Sequence, residues 1–389
     1  MQTVVIASLL SGAGSTGVET HIRSVIRAAT AHGLNARLVT PYASTQLVQR
    51  LCNRLVNVWR PFAEEAAHLW LRKVHRRRLK RHLRIVVGDT EGAVTIYAQD
   101  PLSAEVALEV APEFGCRVVA VAHFNVSEAN EFVDKGITEP GAALWQELMA
   151  TDATALPQVD RLIVVSRFMR ESLFSRIPAL RSSDCIVLPN ICPVAPGPES
   201  NARPRRDAVS IGSLESRKNQ QFLLRVIAEC KQRGKPYTLD LIGDGEDREM
   251  LTALAGRLGV DHLVRFLGQV PGAAEYIRDY RVLLHAAHME SFGIVLVEAM
   301  AHGVPVIAAP VGGVPEVFSD QEEGLFWDPQ SVGRGADTLI GLLEDPGLQS
   351  RLTHAARNRI AARFDPETIA TRWLSAITGT ALLPATRPS

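Results

Sequence analysis

The most informative stretch of the chain is Glu290-Ser291-Phe292-Gly293-Ile294-Val295-Leu296-Val297-Glu298. The spacing of its two glutamates carries nothing alone, since it recurs at Glu105/Glu113, Glu131/Glu139 and Glu139/Glu147. Context gives it meaning. Glu290 follows an apolar β-branched run, Ser291-Phe292-Gly293 reads as a turn, and Glu298 falls on the second turn of the helix beyond. Free N–H groups at a helix start hold a diphosphate, and carboxylates on either side accept bonds from sugar hydroxyls. A second candidate is the loop Gly12-Ala13-Gly14-Ser15-Thr16-Gly17 between a strand and a helix, which has the dinucleotide-fingerprint spacing. That fingerprint also needs an acid at the end of the second strand, and Asn35–Thr40 ends without one. A phosphate-facing loop of another kind and a plain tight turn are the alternatives. His285-x-x-His288-x-Glu290 offers metal-ligand types at a strand end, but three residues spaced this way need not converge.

These groups need elements to hold them. Strands are expected at Thr3–Ser8, Ala36–Thr40, Val94–Tyr97, Arg117–Ala122 and Arg161–Ser166, with a helix over Val18–His32. The run from Pro193 to Pro204 contains four prolines, so it reads as a linker. Beyond it the pattern restarts, with strands at Ala208–Ile211, Thr238–Ile242, Val264–Leu267, Val282–His285 and Val304–Ala308. Helices are expected near Asn219–Arg233, Asp247–Leu258 and Gly293–His302. Such alternation implies an α/β protein of two facing parallel-sheet domains, with ligands beyond the C-terminal strand ends. The expected divisions are 1–192, a linker over 193–206, 207–365, and a last helix within 366–389 crossing back to the first domain.

Composition excludes several classes. A length of 389 residues exceeds one compact core, and 46% hydrophobic with 22% charged residues is ordinary for a globular chain. The 42 basic and 42 acidic side chains balance, so no whole-molecule case for nucleic acid exists. The five cysteines show no C-x-x-C pairing, which fits buried thiols in a reducing compartment. No apolar run reaches membrane-spanning length, and the first strand lacks the preceding cation of a signal peptide. The expected location is cytoplasmic.

The Glu290–Glu298 run resembles the signature of family 4 of the retaining glycosyltransferases, which have the GT-B fold of two facing Rossmann-like domains. Gly17-Val18-Glu19 with His21, Ala122-His123-Phe124, Leu162–Ser166, Leu188-Pro189-Asn190, Ile211–Asn219 and Leu241–Gly245 resemble other parts of the family pattern. The resemblance implies transfer of a hexosyl group from a nucleotide diphosphate sugar to a hydroxyl acceptor, with retention and without a metal. It implies that Glu298 holds the ribose and Glu290 the donor sugar. Gly17, Lys218 and the backbone of Phe292, Gly293, Ile294 and Val295, after Ser291, would neutralise the diphosphate. His123 would orient the sugar or polarise the acceptor. Two departures stand out. Ser213 occupies a position where many members carry an arginine, so either Arg217 compensates or Lys218 acts alone; and Asn190-Ile191-Cys192-Pro193 departs from the usual hinge. The absence of Asp-x-Asp disfavours the metal-dependent glycosyltransferase architecture.

Trp70–Arg84 contains no acid and carries Arg72, Lys73, Arg76, Arg77, Arg78, Lys80 and Arg81. At helical spacing Leu71, Val74, Leu79 and Leu83 form a narrow stripe. Such a helix either lies on an anionic membrane or packs its stripe on the first domain. The first alternative implies a peripheral enzyme on the inner membrane face with a lipid-linked acceptor, in cell-surface polysaccharide or glycolipid synthesis. Two rival functions remain: a nicotinamide-dependent oxidoreductase using the Gly12–Gly17 loop, and a catalytically silent partner subunit.

Overall fold

The structure is a computed structural model that describes residues 2–10, 17–42, 46–124, 126–192 and 206–383, with side chains of 46–62 left undescribed. Most of the Gly12–Gly17 loop, the proline linker and the end of the tail lie outside the described residues. The chain divides into two units, Met1–Ile191 with Glu367–Ser389, and Cys192–Pro366.

The first unit holds six parallel strands: β1 (Thr3–Ala7), β2 (Asn35–Val39), β3 (Val94–Ala98), β4 (Arg117–Ala122), β5 (Arg161–Val164) and β6 (Cys185–Val187). Their order is β2-β1-β3-β4-β5-β6, in parallel register such as Ala7 with Ala98 and Ala98 with Ala120. Both faces are covered, because a right-handed crossover between parallel strands places a helix on one side or the other. One face presents Val4, Ile6, Tyr97, Val119 and Ile163 to a core shared with Ile22 and Val25 of helix Gly17–Ala31. Trp373 and Leu374 of helix Pro366–Thr378 complete that core, so the end of the chain packs with its beginning. The structure departs from the sequence reading at one strand end and at one further strand. Ser166 is the cap of helix Arg167–Arg176, its hydroxyl accepting from Met169 N at 3.2 Å, and Cys185–Val187 forms an edge strand that the reading omitted.

The second unit has β7 (Arg206–Ile211), β8 (Leu239–Ile242), β9 (Val264–Gly268), β10 (Tyr280–His285), β11 (Val306–Ala308) and β12 (Leu325–Phe326). The order is β12-β11-β10-β7-β8-β9, again parallel. Strand order reverses between β7 and β10, and the loops after those two strands part to opposite sides. Glu290 follows β10 and Lys218 follows β7, so both sit at the reversal.

The basic segment corrects one expectation. Trp70–Arg84 is part of a helical stretch Gln46–Gly88 that breaks at Ala63. Leu79 and Leu83 are fully buried, and the helix packs against Pro101–Phe114 and Ala143–Ala155. Of its apolar stripe Leu79 and Leu83 are inside the unit and Leu71 and Val74 are half-buried, so that face packs on protein, the second of the two alternatives, and is not laid into a membrane. Arg72 is buried with Glu147 at 3.3 Å and Glu128 at 3.5 Å. Arg76 pairs with Glu105 and Glu109, Lys80 with Glu109, and Arg84 with Glu113. Arg78 Nε donates to the carbonyl of Pro41 at 2.8 Å, while Lys73, Arg77 and Arg81 face solvent. No helix among the described residues is long and apolar enough to cross a membrane.

Candidate active site

Between β10 and helix Ile294–Ala301 the chain makes the turn that the residues Ser291-Phe292-Gly293 require. Gly293 sits at φ 84°, ψ 56°, a left-handed conformation open to glycine at little cost, and begins the helix without a side-chain cap. The first N–H groups of that helix, including those of Ile294 and Val295, have no intrahelical carbonyl to meet. Phe292 is buried edge-on against Phe364, at 5.9 Å between centroids, so its side chain anchors the turn and leaves the backbone for a ligand. The carbonyl of Glu290 accepts from Gly313 N at 2.8 Å, and any Cβ on Gly312 would collide with it. The glycine pair after β11 is thus what lets the Glu290 loop close down.

The side chain of Glu290 is held from two sides. Lys218 Nζ lies 2.6 Å from Oε2 and His285 Nε2 lies 3.2 Å from the same oxygen. Oε1 has no partner among the described residues. Burial would raise this carboxyl, but the Lys218 charge and then the His285 hydrogen bond override it and hold the group well below the usual carboxylate range. Burial lowers His285 against the pull of Glu290, so the imidazole is neutral and its Nε2–H donates. Its carbonyl accepts from Trp327 Nε1 at 3.0 Å, which fixes the strand end. The result is an ionised carboxylate with one oxygen clamped and the other free.

Glu298 is the opposite case. It is buried on the same helix with no cation beside it among the described residues, and burial pushes its carboxyl up to about 7. One turn therefore carries two carboxylates of different character, one fixed as an anion and one poised to titrate.

Arg217 is committed elsewhere. Its guanidinium pairs with Glu215 and donates to the Met289 carbonyl at 3.1 Å, while its own carbonyl accepts from His288 N at 2.8 Å. It braces the loop after β7 onto the loop after β10, and Ser213 is exposed and supplies no charge. Lys218 is left as the cation facing Glu290.

In the first unit, Gly17 is the exposed first residue of its helix, with nothing near the place a Cβ would take. His123 follows β4, and its Nε2 is 3.3 Å from Oε1 of Gln99, which follows β3. Burial lowers His123 to about 4. Sequence reasoning missed the roles of His285 and Gln99. His285 had been weighed only as a corner of a metal triad, yet it bonds Glu290 while His288 faces solvent. Among the described residues no group of three or more His, Cys, Asp or Glu is placed to hold a metal ion.

Residues 15–195 match the family model described as "Glycosyltransferase Family 4", and residues 198–359 match "Glycosyl transferases group 1". A D-inositol 3-phosphate glycosyltransferase of Frankia alni is 30% identical over 282 residues, covering 67% of this chain and 68% of that protein. A glycogen synthase of Mycobacterium tuberculosis is 26% identical over 287 residues, and the match spans 71% of this chain and 66% of that protein, just under two thirds of its length. Among solved structures, Anabaena HepE in complex with UDP-glucose superposes with a TM-score of 0.70 at 18% identity, covering 97% of this chain and 99% of that one. Two parallel six-stranded sheets, each under its own helices, are the GT-B architecture. By fold, by both family models and by a relative matched over two thirds of its length, the chain belongs to family 4 of the glycosyltransferases.

Proposed function

We propose that this protein transfers a hexosyl group from a nucleoside diphosphate sugar to a hydroxyl acceptor, with retention at the anomeric carbon and without a metal ion. The observation that carries the reading is the half-free carboxylate of Glu290, clamped by Lys218 and His285 beside an uncapped helix start. Glu290 Oε1 accepts from hydroxyls of the donor sugar, and Glu298 from those of the ribose. The diphosphate meets the N–H groups of Ile294 and Val295 and draws Lys218 towards it. As the bond from the anomeric carbon to the phosphate oxygen breaks, negative charge grows on the leaving group where these donors are already aimed. The acceptor oxygen bonds to the same face of that carbon, and its proton passes to the departing phosphate oxygen. His123 attends the sugar or the acceptor as a neutral imidazole.

Family membership supports the reaction class, and the UDP-glucose named with the HepE structure supports a nucleotide sugar as donor. The test is incubation of the purified chain with UDP-, GDP- and ADP-sugars, following nucleoside diphosphate release and the anomeric configuration of product by NMR. Thermal shifts with the same panel identify the base. Release with inverted product, or no binding of any of the three, would sink the reading.

A further inference from the structure

His123 cannot be understood without the residues behind it. Gln99 lies one step past β3, its N–H donating to the Ala7 carbonyl at 2.9 Å, so it continues the strand. Side chains two apart on a strand share a face, which puts Gln99 beside Tyr97, on the face covered by helices Gly17–Ala31 and Pro366–Thr378. The Tyr97 hydroxyl is 2.8 Å from His21 Nε2. Burial raises the Tyr97 hydroxyl, and the Gln99 amide draws it partly back. Tyr97 and Gln99, which lie outside the stretches that resemble the family pattern, therefore stand between His21 and His123, in a row of buried and half-buried polar side chains drawn from two strand ends and one helix.

We propose that Gln99 is a positioning residue that fixes His123 as its Nε2–H tautomer, so that Nδ1 presents a lone pair to a substrate hydroxyl. The inference rests on the reading of His123 given above. Gln99 is 3% exposed, and a buried amide oxygen left without a donor is costly. The donor it meets is His123 Nε2. A carbonyl oxygen only accepts, so the ring hydrogen sits on Nε2 and the other nitrogen is left as an acceptor. Nδ1 has no partner among the described residues. His21 is the titratable group that faces this ring, 4.9 Å away between centroids. Burial, and then His123 itself, hold His21 neutral, so the two rings do not charge together. Trp373 closes on His21 from the last helix, 4.5 Å between centroids, and keeps the pair from turning.

The test uses the full chain labelled with 15N at histidine, with long-range 1H–15N spectra from pH 5 to 8. The His123 signal is assigned by its loss in His123→Asn. Wild type should show a neutral Nε2–H ring across the range. Gln99→Glu keeps an acceptor in place but adds a negative charge, so it should keep the tautomer and bring the ring's titration into the observed range. Its transfer rate should fall as pH drops through that midpoint, because the imidazolium has no lone pair to offer. Gln99→Leu should lose the fixed tautomer and lower kcat roughly 10- to 100-fold, with the KM for donor nearly unchanged. An Nδ1–H tautomer in wild type would overturn the proposal. So would identical His123 spectra in wild type and Gln99→Glu, a comparison that stands even if the leucine variant does not fold. Full transferase activity in His123→Asn would defeat it by another route, through the role of His123 itself, while the spectra show separately whether Gln99 holds the ring.

Discussion

Glu298→Gln separates the cost of a buried carboxyl from the ribose contact proposed for it. Raising a buried carboxyl from its ordinary 4.5 to about 7 corresponds to about 3 kcal/mol, at about 1.36 kcal/mol per pH unit. The sign follows from proton counting. Below about pH 4.5 both states of the chain hold the proton, so Glu298 costs nothing. Between that pH and about 7 the unfolded chain has released it while the folded one keeps it, so stability falls as pH rises. Above about 7 both are ionised, and the fold carries the full cost of a buried anion without a cation partner among the described residues. Glutamine has no such cost. The variant should therefore match wild type near pH 4 and exceed it by about 3 kcal/mol at pH 8, a gain worth roughly 2–4 °C in Tm per kcal/mol. Binding should move the other way. Ribose hydroxyls need an acceptor, and charge-assisted bonds are worth about 1.5–3 kcal/mol, so the variant should bind UDP, GDP or ADP roughly 10- to 100-fold more weakly at pH 8. The ratio of affinities should shrink as pH falls through 7, and taking the ratio cancels the ionisation of the phosphates themselves. Thermal melts and calorimetric titrations at pH 5, 6, 7 and 8 give both curves. A Tm difference that stays flat across that range, or equal nucleotide affinity at pH 8, would refute the reasoning.

His285→Ala removes one of the two bonds on Glu290 Oε2 and should lower the transfer rate roughly 10- to 100-fold, for a loss of about 1.5–3 kcal/mol. Calorimetry should find nucleoside diphosphate affinity within about twofold of wild type, since the ring bonds Glu290, the group proposed for the donor sugar and not for the nucleotide. Leu79→Ala should cost about 2–5 kcal/mol in denaturant unfolding, as a large-to-small change in a packed core does; a cost near zero would mean the stripe does not pack as described. Transfer should persist in excess EDTA if, as proposed, Lys218 and the helix N–H groups neutralise the diphosphate; loss restored by added manganese would overturn the metal-free mechanism.

The parts of this protein that were legible in its sequence are those written locally. Strand β4 was read at its true ends because Val118–Ala122 is an unbroken apolar run, which both faces of a parallel sheet demand, and half-buried Arg117 marks its entry. The turn after Glu290 was legible because Gly293 sits where the backbone needs a positive φ and a helix must begin at once. What escaped depends on strand order. Gln99 and His123 follow adjacent strands, and nothing in either neighbourhood says that β3 pairs with β4. His285 lies only five residues before Glu290, yet its ring could be assigned to the carboxylate only once the loop was seen to fold back over the strand end.

The basic helix shows the same limit from the other side. Its leucine stripe fits a lipid surface or a protein core equally well, because periodicity reports a face and not what covers it. The missing information lay in a different helix. Glu105, Glu109 and Glu113 recur every fourth residue on Pro101–Phe114, and Arg76, Lys80 and Arg84 recur every fourth residue opposite them. The spacing of Glu105 and Glu113 looked like chance when taken alone; it is one side of a charge ladder. Exposed pairs of this kind contribute about 0–1 kcal/mol each, so they do not hold the helix down. Leu79 and Leu83 do that, both fully buried. In this run the cations that recur every fourth residue meet their acids on a helix of matching period in the same unit, while Lys73, Arg77 and Arg81 face solvent.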